Sequence, residues 1–250
     1  MIKTIKSYIR RTILHFIPSL TDLSSYSQAG EDAVIDFLLQ QVDLYWPRYL
    51  ELGSHHPISC NNTYRFYGRG ARGVLVEPNR DIIPTIKRIR PGDTVLNIGV
   101  SEVDMVEQDF YTFEISQLNT FNKKEAYLRE KSGTYKIQSI VKLPTKSINT
   151  IIKENFTNRP DLLSIDIEGL DYIVLRTLDF DKYPIPIICA ETCEYSENHI
   201  KGKNMDIGKL LRTKGYFVYA DTYINTIYVN RKWFNAAGKI ASPTRSVAEK

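Results

Sequence analysis

The chain has 250 residues, enough for one large domain with short appendages, and its 42% hydrophobic and 25% charged content excludes wholesale disorder. No uncharged apolar run reaches the ~18–20 residues of a membrane span, and the first twenty residues lack the small-residue cleavage site of a secretory signal. The net charge of +4 sits at the ends: residues 21–230 hold 24 basic and 28 acidic groups, a pattern that argues against a nucleic-acid-binding body.

Residues 1–20 carry Lys3, Lys6, Arg10 and Arg11 and no acid. Ile2, Ile5, Ile9, Ile13 and Phe16 recur at helical spacing, which predicts a basic amphipathic helix and linker over 1–23. Such a helix docks on protein or rests on anionic lipid, giving a peripheral membrane contact. Cys60, Cys189 and Cys193 form no CxxC pair, and their odd number points to a reducing cytoplasm.

From Tyr26 the pattern alternates between helix and strand. A helix opens at Gly30-Glu31-Asp32, with Ile35, Leu38, Leu39 and Val42 as its buried stripe. Short apolar runs at Tyr49–Leu52, Gly73–Glu77, Thr94–Gly99, Leu162–Ile167 and Ile185–Ala190 read as strands covered on both faces. Helices are predicted between them at Asp81–Ile89, Ser147–Asn155 and Leu170–Leu178, and Met105–Lys136 reads as a variable loop. After a helix at Met205–Thr213, strands at Tyr216–Ala220 and Tyr223–Val229 are joined too tightly for anything but an antiparallel hairpin. The expected fold is a doubly wound, mostly parallel seven-stranded α/β sheet ending in that hairpin. The folded domain is expected to span 24–230, followed by a basic tail over 231–250.

Ligands of open α/β sheets sit beyond the carboxyl ends of the strands. The first strand ends Glu51-Leu52-Gly53-Ser54-His55-His56-Pro57, a glycine turn with a carboxylate but without the GxGxxG fingerprint. The second ends Glu77-Pro78-Asn79, where an acid can accept both hydroxyls of a ribose. The fourth ends Asp166-Ile167-Glu168-Gly169 and the fifth Glu191, so three carboxylates leave apolar strands at one rim. Asp166 could instead cap the following helix.

The ordered series Tyr26-Ser27-Gln28, Gly30-Glu31-Asp32, Glu51–Pro57, Asn62-Thr63-Tyr64, Gly73–Pro78, Leu96–Ser101, Leu118–Phe121, Leu163–Asp171 and Asn225–Val229 resembles the FkbM family of methyltransferases. These are class I enzymes that use S-adenosylmethionine (SAM). The resemblance implies that Glu51, Gly53 and Ser54 line the methionine and sulfonium end of SAM, and that Glu77, with Asn79 beside it, holds the ribose. It further places Ser101 near adenine, Gln28 closing over the cofactor and Asp166 facing the transferred methyl. Glu51 stands where Asp is commoner, and His55-His56 replace a usual Asn-x-Gly.

One histidine, His56, is the expected base for a hydroxyl acceptor, a sugar or similar small molecule. A divalent metal held by the histidines with Asp166 and Glu191 is the less favoured alternative, because adjacent residues of an extended chain point apart. Tyr64, Tyr67 and Tyr111 are expected to form an aromatic platform for the acceptor. A non-catalytic SAM-binding protein and a nicotinamide oxidoreductase are the rival readings; the second would need a fuller glycine fingerprint and a parallel C-terminal half.

Overall fold

The structure, a computed structural model, describes residues 24–104, 106–193 and 202–241. The predicted helix over 1–20 and the end of the C-terminal segment lie outside the described residues. Helix α1 (Glu31–Gln40) precedes strand β1 (Tyr49–Leu52), followed by α2 (Tyr64–Gly68), β2 (Gly73–Val76), α3 (Ile83–Ile89) and β3 (Thr94–Leu96). An excursion holds β4 (Gly99–Ser101), β5 (Val106–Phe113), α4 (Lys123–Lys131) and β6 (Ile137–Ser147). The chain then returns through α5 (Ile148–Asn155), β7 (Leu162–Ile165), α6 (Asp171–Leu175), β8 (Ile187–Glu191), α7 (Met205–Thr213), β9 (Tyr216–Asp221), β10 (Asn225–Asn230) and α8 (Arg231–Ala241).

The main sheet has seven strands in the order β3-β2-β1-β7-β8-β10-β9. Strands β3, β2, β1, β7 and β8 are mutually parallel, and β10 runs antiparallel to both β8 and β9. Side-chain alternation divides the core: Leu50 and Leu52 of β1 face one layer with Leu163 and Ile165, while Tyr49 faces the other with Leu75 and Leu162. Helix α5 covers the first layer with Ile148, Ile151 and Ile152, its N-terminus capped by the Ser147 hydroxyl on the Thr150 N–H. Helix α1 covers the second with Ile35, Leu38 and Leu39. The strand order reverses beside β1, which opens a crevice at the carboxyl ends of β1 and β7.

Three expectations change. The run Thr94–Gly99 is not one strand: β3 stops at Leu96, and the Asn97 amide donates to the carbonyls of Glu77 (2.8 Å) and Pro78 (2.9 Å), turning the chain out of the sheet. The predicted variable loop contains β5 and α4, part of a second, three-stranded sheet ordered β4-β6-β5. Most of β6 is exposed and carries no strong apolar pattern, which is why the excursion was illegible. The basic tail begins inside the fold, because α8 follows β10 directly and packs Trp233 and Phe234 on the second core layer.

Candidate functional site

A cavity of about 350 Å³ opens at the carboxyl ends of β1, β2, β7 and β8, walled on one side by the excursion. That volume is within the range of small-molecule sites. Gly53 makes its floor possible. It has φ of +81°, and a Cβ there would lie 1.9 Å from the Asp166 carbonyl oxygen. Without that atom, the ends of three strands meet: the Gly53 N–H donates to the Val76 carbonyl (2.9 Å) and the Asp166 N–H to that of Leu52 (3.1 Å).

Glu77 lies at the end of β2, and each carboxylate oxygen accepts one backbone N–H at 2.7 Å, from His55 and from Asn79. Burial pushes its pKa up to about 7. The next turn presents Ser54 and His55. The Ser54 Oγ is buried and has no hydrogen-bond partner among the described residues. His55 holds a left-handed backbone (φ 37°) and meets the Ser116 hydroxyl through Nε2 at 2.9 Å. Burial lowers its pKa, so the ring is neutral at pH 7.

Immediately after β7, Asp166 Oδ1 is likewise buried without a partner among the described residues. Its carboxyl contacts that of Glu191 at the end of β8. Burial raises both groups, Asp166 to about 7 and Glu191 well above the usual carboxylate range, so the two carboxyls titrate as a pair. Glu168 turns away on a left-handed backbone (φ 55°) to meet Arg129 of α4 at 2.6 Å. Arg129 also donates to the Leu118 carbonyl at 2.6 Å within the excursion, and its pair with Glu168, beside the Thr120 hydroxyl on the Glu168 carbonyl (3.0 Å), anchors the excursion to the loop after β7.

The Methyltransferase FkbM domain model matches residues 51–218, the segment that contains every strand-end acid just described. The chain belongs to the FkbM methyltransferase family. A search of the curated proteins finds no match. Solved structures similar to the chain include three methyltransferases. A magnesium protoporphyrin IX methyltransferase from Synechocystis, with bound SAM, is 10% identical over 79% of this chain and 76% of its own (TM-score 0.38). A 1,6-didemethyltoxoflavin-N1-methyltransferase from Burkholderia thailandensis is 9% identical over 91% and 87% (TM-score 0.39). A precorrin-6y C5,15-methyltransferase from Geobacter metallireducens is 9% identical over 78% and 85% (TM-score 0.38).

Of the site residues expected from sequence, Gln28, Gly53, Ser54, Glu77 and Asp166 line the cavity of this FkbM domain, joined by Glu168 and Glu191. Four do not. Glu51 shares the Tyr49 side of β1, and its Oε2 accepts from Thr63 Oγ1 (2.8 Å) and Asn61 Nδ2 (3.1 Å), away from the strand end. The Asn79 side chain accepts the Asp81 N–H and shapes its own turn. Ser101 lies on β4, outside the main sheet, and its hydroxyl is spent on the Val103 carbonyl and on Thr145 Oγ1. His56 turns its Nδ1 to the backbone N–H groups of Ile58 (3.2 Å) and Ser59 (2.9 Å), while His55 takes the cavity.

The aromatic platform also divides. Tyr64 and Tyr67 stack at 6.1 Å, but Tyr111 is buried in the excursion against Tyr127. Sequence reasoning missed Ser116 and the Phe110–Phe121 pair (4.7 Å), all from the excursion; only Phe121 lay in a quoted family motif. Among the described residues no group of three or more His, Cys, Asp or Glu side chains converges as a metal site. None of the described helices is long and apolar enough to cross a membrane.

Proposed function

We propose that the protein transfers a methyl group from SAM to a hydroxyl oxygen of a sugar or related small molecule, in glycan or natural-product biosynthesis. One observation carries this reading: two buried polar atoms, Ser54 Oγ and Asp166 Oδ1, have no partner among the described residues and belong to residues that line the same cavity as Glu77. Buried polar atoms are ordinarily paired, so orphans at a strand-end crevice mark groups that a ligand satisfies. The donor set suits a nucleoside: each Glu77 oxygen already holds one N–H and keeps a lone pair for a ribose hydroxyl.

Bound SAM would supply an electrophilic methyl on its sulfonium, leaving as S-adenosylhomocysteine when the S–C bond breaks. The protein holds the acceptor in line with that bond and removes the hydroxyl proton as the O–C bond forms. Asp166 takes that proton at Oδ1, with a pKa of about 7 suited to the task. His55 replaces His56 as the cavity histidine and meets the Ser116 hydroxyl through Nε2. On this reading the protein is a cytoplasmic enzyme, and residues 1–20, with four basic groups, bring it to the inner face of the membrane.

Calorimetry should show SAM and S-adenosylhomocysteine binding at micromolar strength or better, with no NAD binding. Mass spectrometry of sugar and nucleotide-sugar pools incubated with labelled SAM should show label on a hydroxyl. Label on a nitrogen or carbon would overturn the acceptor class, and binding of NAD alone would overturn the donor.

A further inference from the structure

The loop carrying Ser54 and His55 ends on Asn61, a fully buried residue that does not line the cavity. Its side-chain amide works in two directions. On the donor side, Nδ2 reaches Glu51 Oε2 (3.1 Å) and the carbonyls of His56 (3.2 Å) and Ser54 (3.5 Å). On the acceptor side, Oδ1 takes the N–H groups of Thr63 (3.1 Å) and Tyr64 (2.8 Å) at the start of α2, and Arg90 Nη1 (3.0 Å). The Asn61 backbone N–H donates to the Tyr26 carbonyl at 2.9 Å, two residues before Gln28.

What Asn61 leans on is rigid. Arg90 is itself fully buried, pairs with Asp93 at 2.8 Å, donates to Thr63 Oγ1 at 2.8 Å and lies over the rings of Tyr49 and Tyr67. His55 (φ 37°) and Cys60 (φ 53°) keep left-handed backbones that non-glycine residues adopt only when their surroundings enforce them. The Gln28 segment is tied at Tyr26 from its other side by Asp32, which accepts the Tyr26 N–H (2.9 Å) and the Ser25 (2.6 Å) and Ser27 (2.9 Å) hydroxyls. Asn61 is the point where both cavity loops meet the core.

We propose that Asn61 is a positioning residue of the methyl-transfer site: it sets the loop of Ser54 and His55, and the segment of Gln28, in register across the donor cavity. The role assumes the donor reading proposed above. The two-sided amide supplies its own test, because Asn61→Asp keeps the oxygen that holds α2 and Arg90 but loses the N–H groups that hold the loop. Asn61→Ala removes both sides. Ile151→Val, a trimmed side chain in the core under α5, is the control for lost stability.

The measurements are amide hydrogen exchange of the full-length protein and calorimetric titration with S-adenosylhomocysteine. Asn61→Asp should speed exchange about tenfold or more in residues 54–60 and weaken binding roughly tenfold, as expected for lost side-chain hydrogen bonds that fix the loop, while residues 26–28, held by the Asn61 backbone N–H that the substitution keeps, exchange as in the wild type. Adding Ser54→Ala should then cost less than it does in the wild-type background, since the hydroxyl is no longer placed. Wild-type exchange in residues 54–60 would overturn the proposal, and so would equal weakening by Ile151→Val. If the wild-type protein fails to bind S-adenosylhomocysteine, the donor reading falls, and the exchange comparison alone decides whether Asn61 couples the loops.

Discussion

The backbone N–H of His55 donates to Oε2 of Glu77 at 2.7 Å, so the acid ending β2 fixes the turn that follows β1. One carboxylate thus shapes the loop beside it and faces the cavity it helps to form. The link makes Glu77 sensitive to its own protonation, because the neutral acid loses part of its accepting strength towards His55 and Asn79.

Donor affinity should therefore depend on pH around neutrality. Glu77 is raised to about 7 by burial, and a ligand that donates hydroxyls to it favours the charged form. Affinity for S-adenosylhomocysteine should rise as pH increases from 6 to 8. Glu77→Gln should flatten this profile, and Glu77→Ala should weaken binding by about 1.5–3 kcal/mol, the range for hydrogen bonds to a charged group. A profile of unchanged slope in Glu77→Gln would place the titration elsewhere.

Ser54→Ala should separate stability from binding. The hydroxyl has no partner among the described residues, so removing it spares the cost of a buried unsatisfied atom and leaves the thermal midpoint equal or higher. Donor affinity should fall, by up to about tenfold, if the ligand satisfies that oxygen. Loss of stability together with unchanged affinity would show that Oγ is bonded within the protein.

Asp166→Asn should lower turnover by about two orders of magnitude or more, the scale of general base assistance, with little change in donor affinity. A single-turnover assay with labelled SAM and the identified acceptor reads this directly. Wild-type turnover would remove Asp166 from the proton transfer.

The same carboxyls should make the ligand-free protein more stable at pH 6 than at pH 8. Glu77, Asp166 and Glu168 are raised to about 7 and Asp171 to about 6, all by burial. A carboxyl raised on folding binds more protons in the native state than in the unfolded one. Its stabilising share is complete below the unfolded value, near 4, and disappears as pH passes through 7. Thermal midpoints measured across this interval should fall, and Asp166→Asn should shrink the drop. A rise in midpoint towards pH 8 would contradict the sign.

The sequence by itself determined the architecture of the main sheet. Short apolar runs such as Leu162–Ile165 can only be strands buried on both faces, and the tight link between Tyr216–Asp221 and Asn225–Asn230 permits only an antiparallel hairpin. The acids at strand ends were legible for the same reason: Glu77 and Asp166 interrupt apolar runs, and a charge placed there costs desolvation unless it has a task. Tertiary structure alone decided which neighbour faces the cavity. Glu51 was lost to Arg90, Asn61 and Thr63 because alternation along β1 put it on the Tyr49 side, and the partners it meets there lie 10–39 residues away. Between His55 and His56 the choice was made by a left-handed turn that local propensity disfavours and long-range hydrogen bonds enforce. The excursion stayed hidden because β6 is mostly exposed: with little buried surface to pattern it, its pairing with β4 and β5 left no period in the sequence.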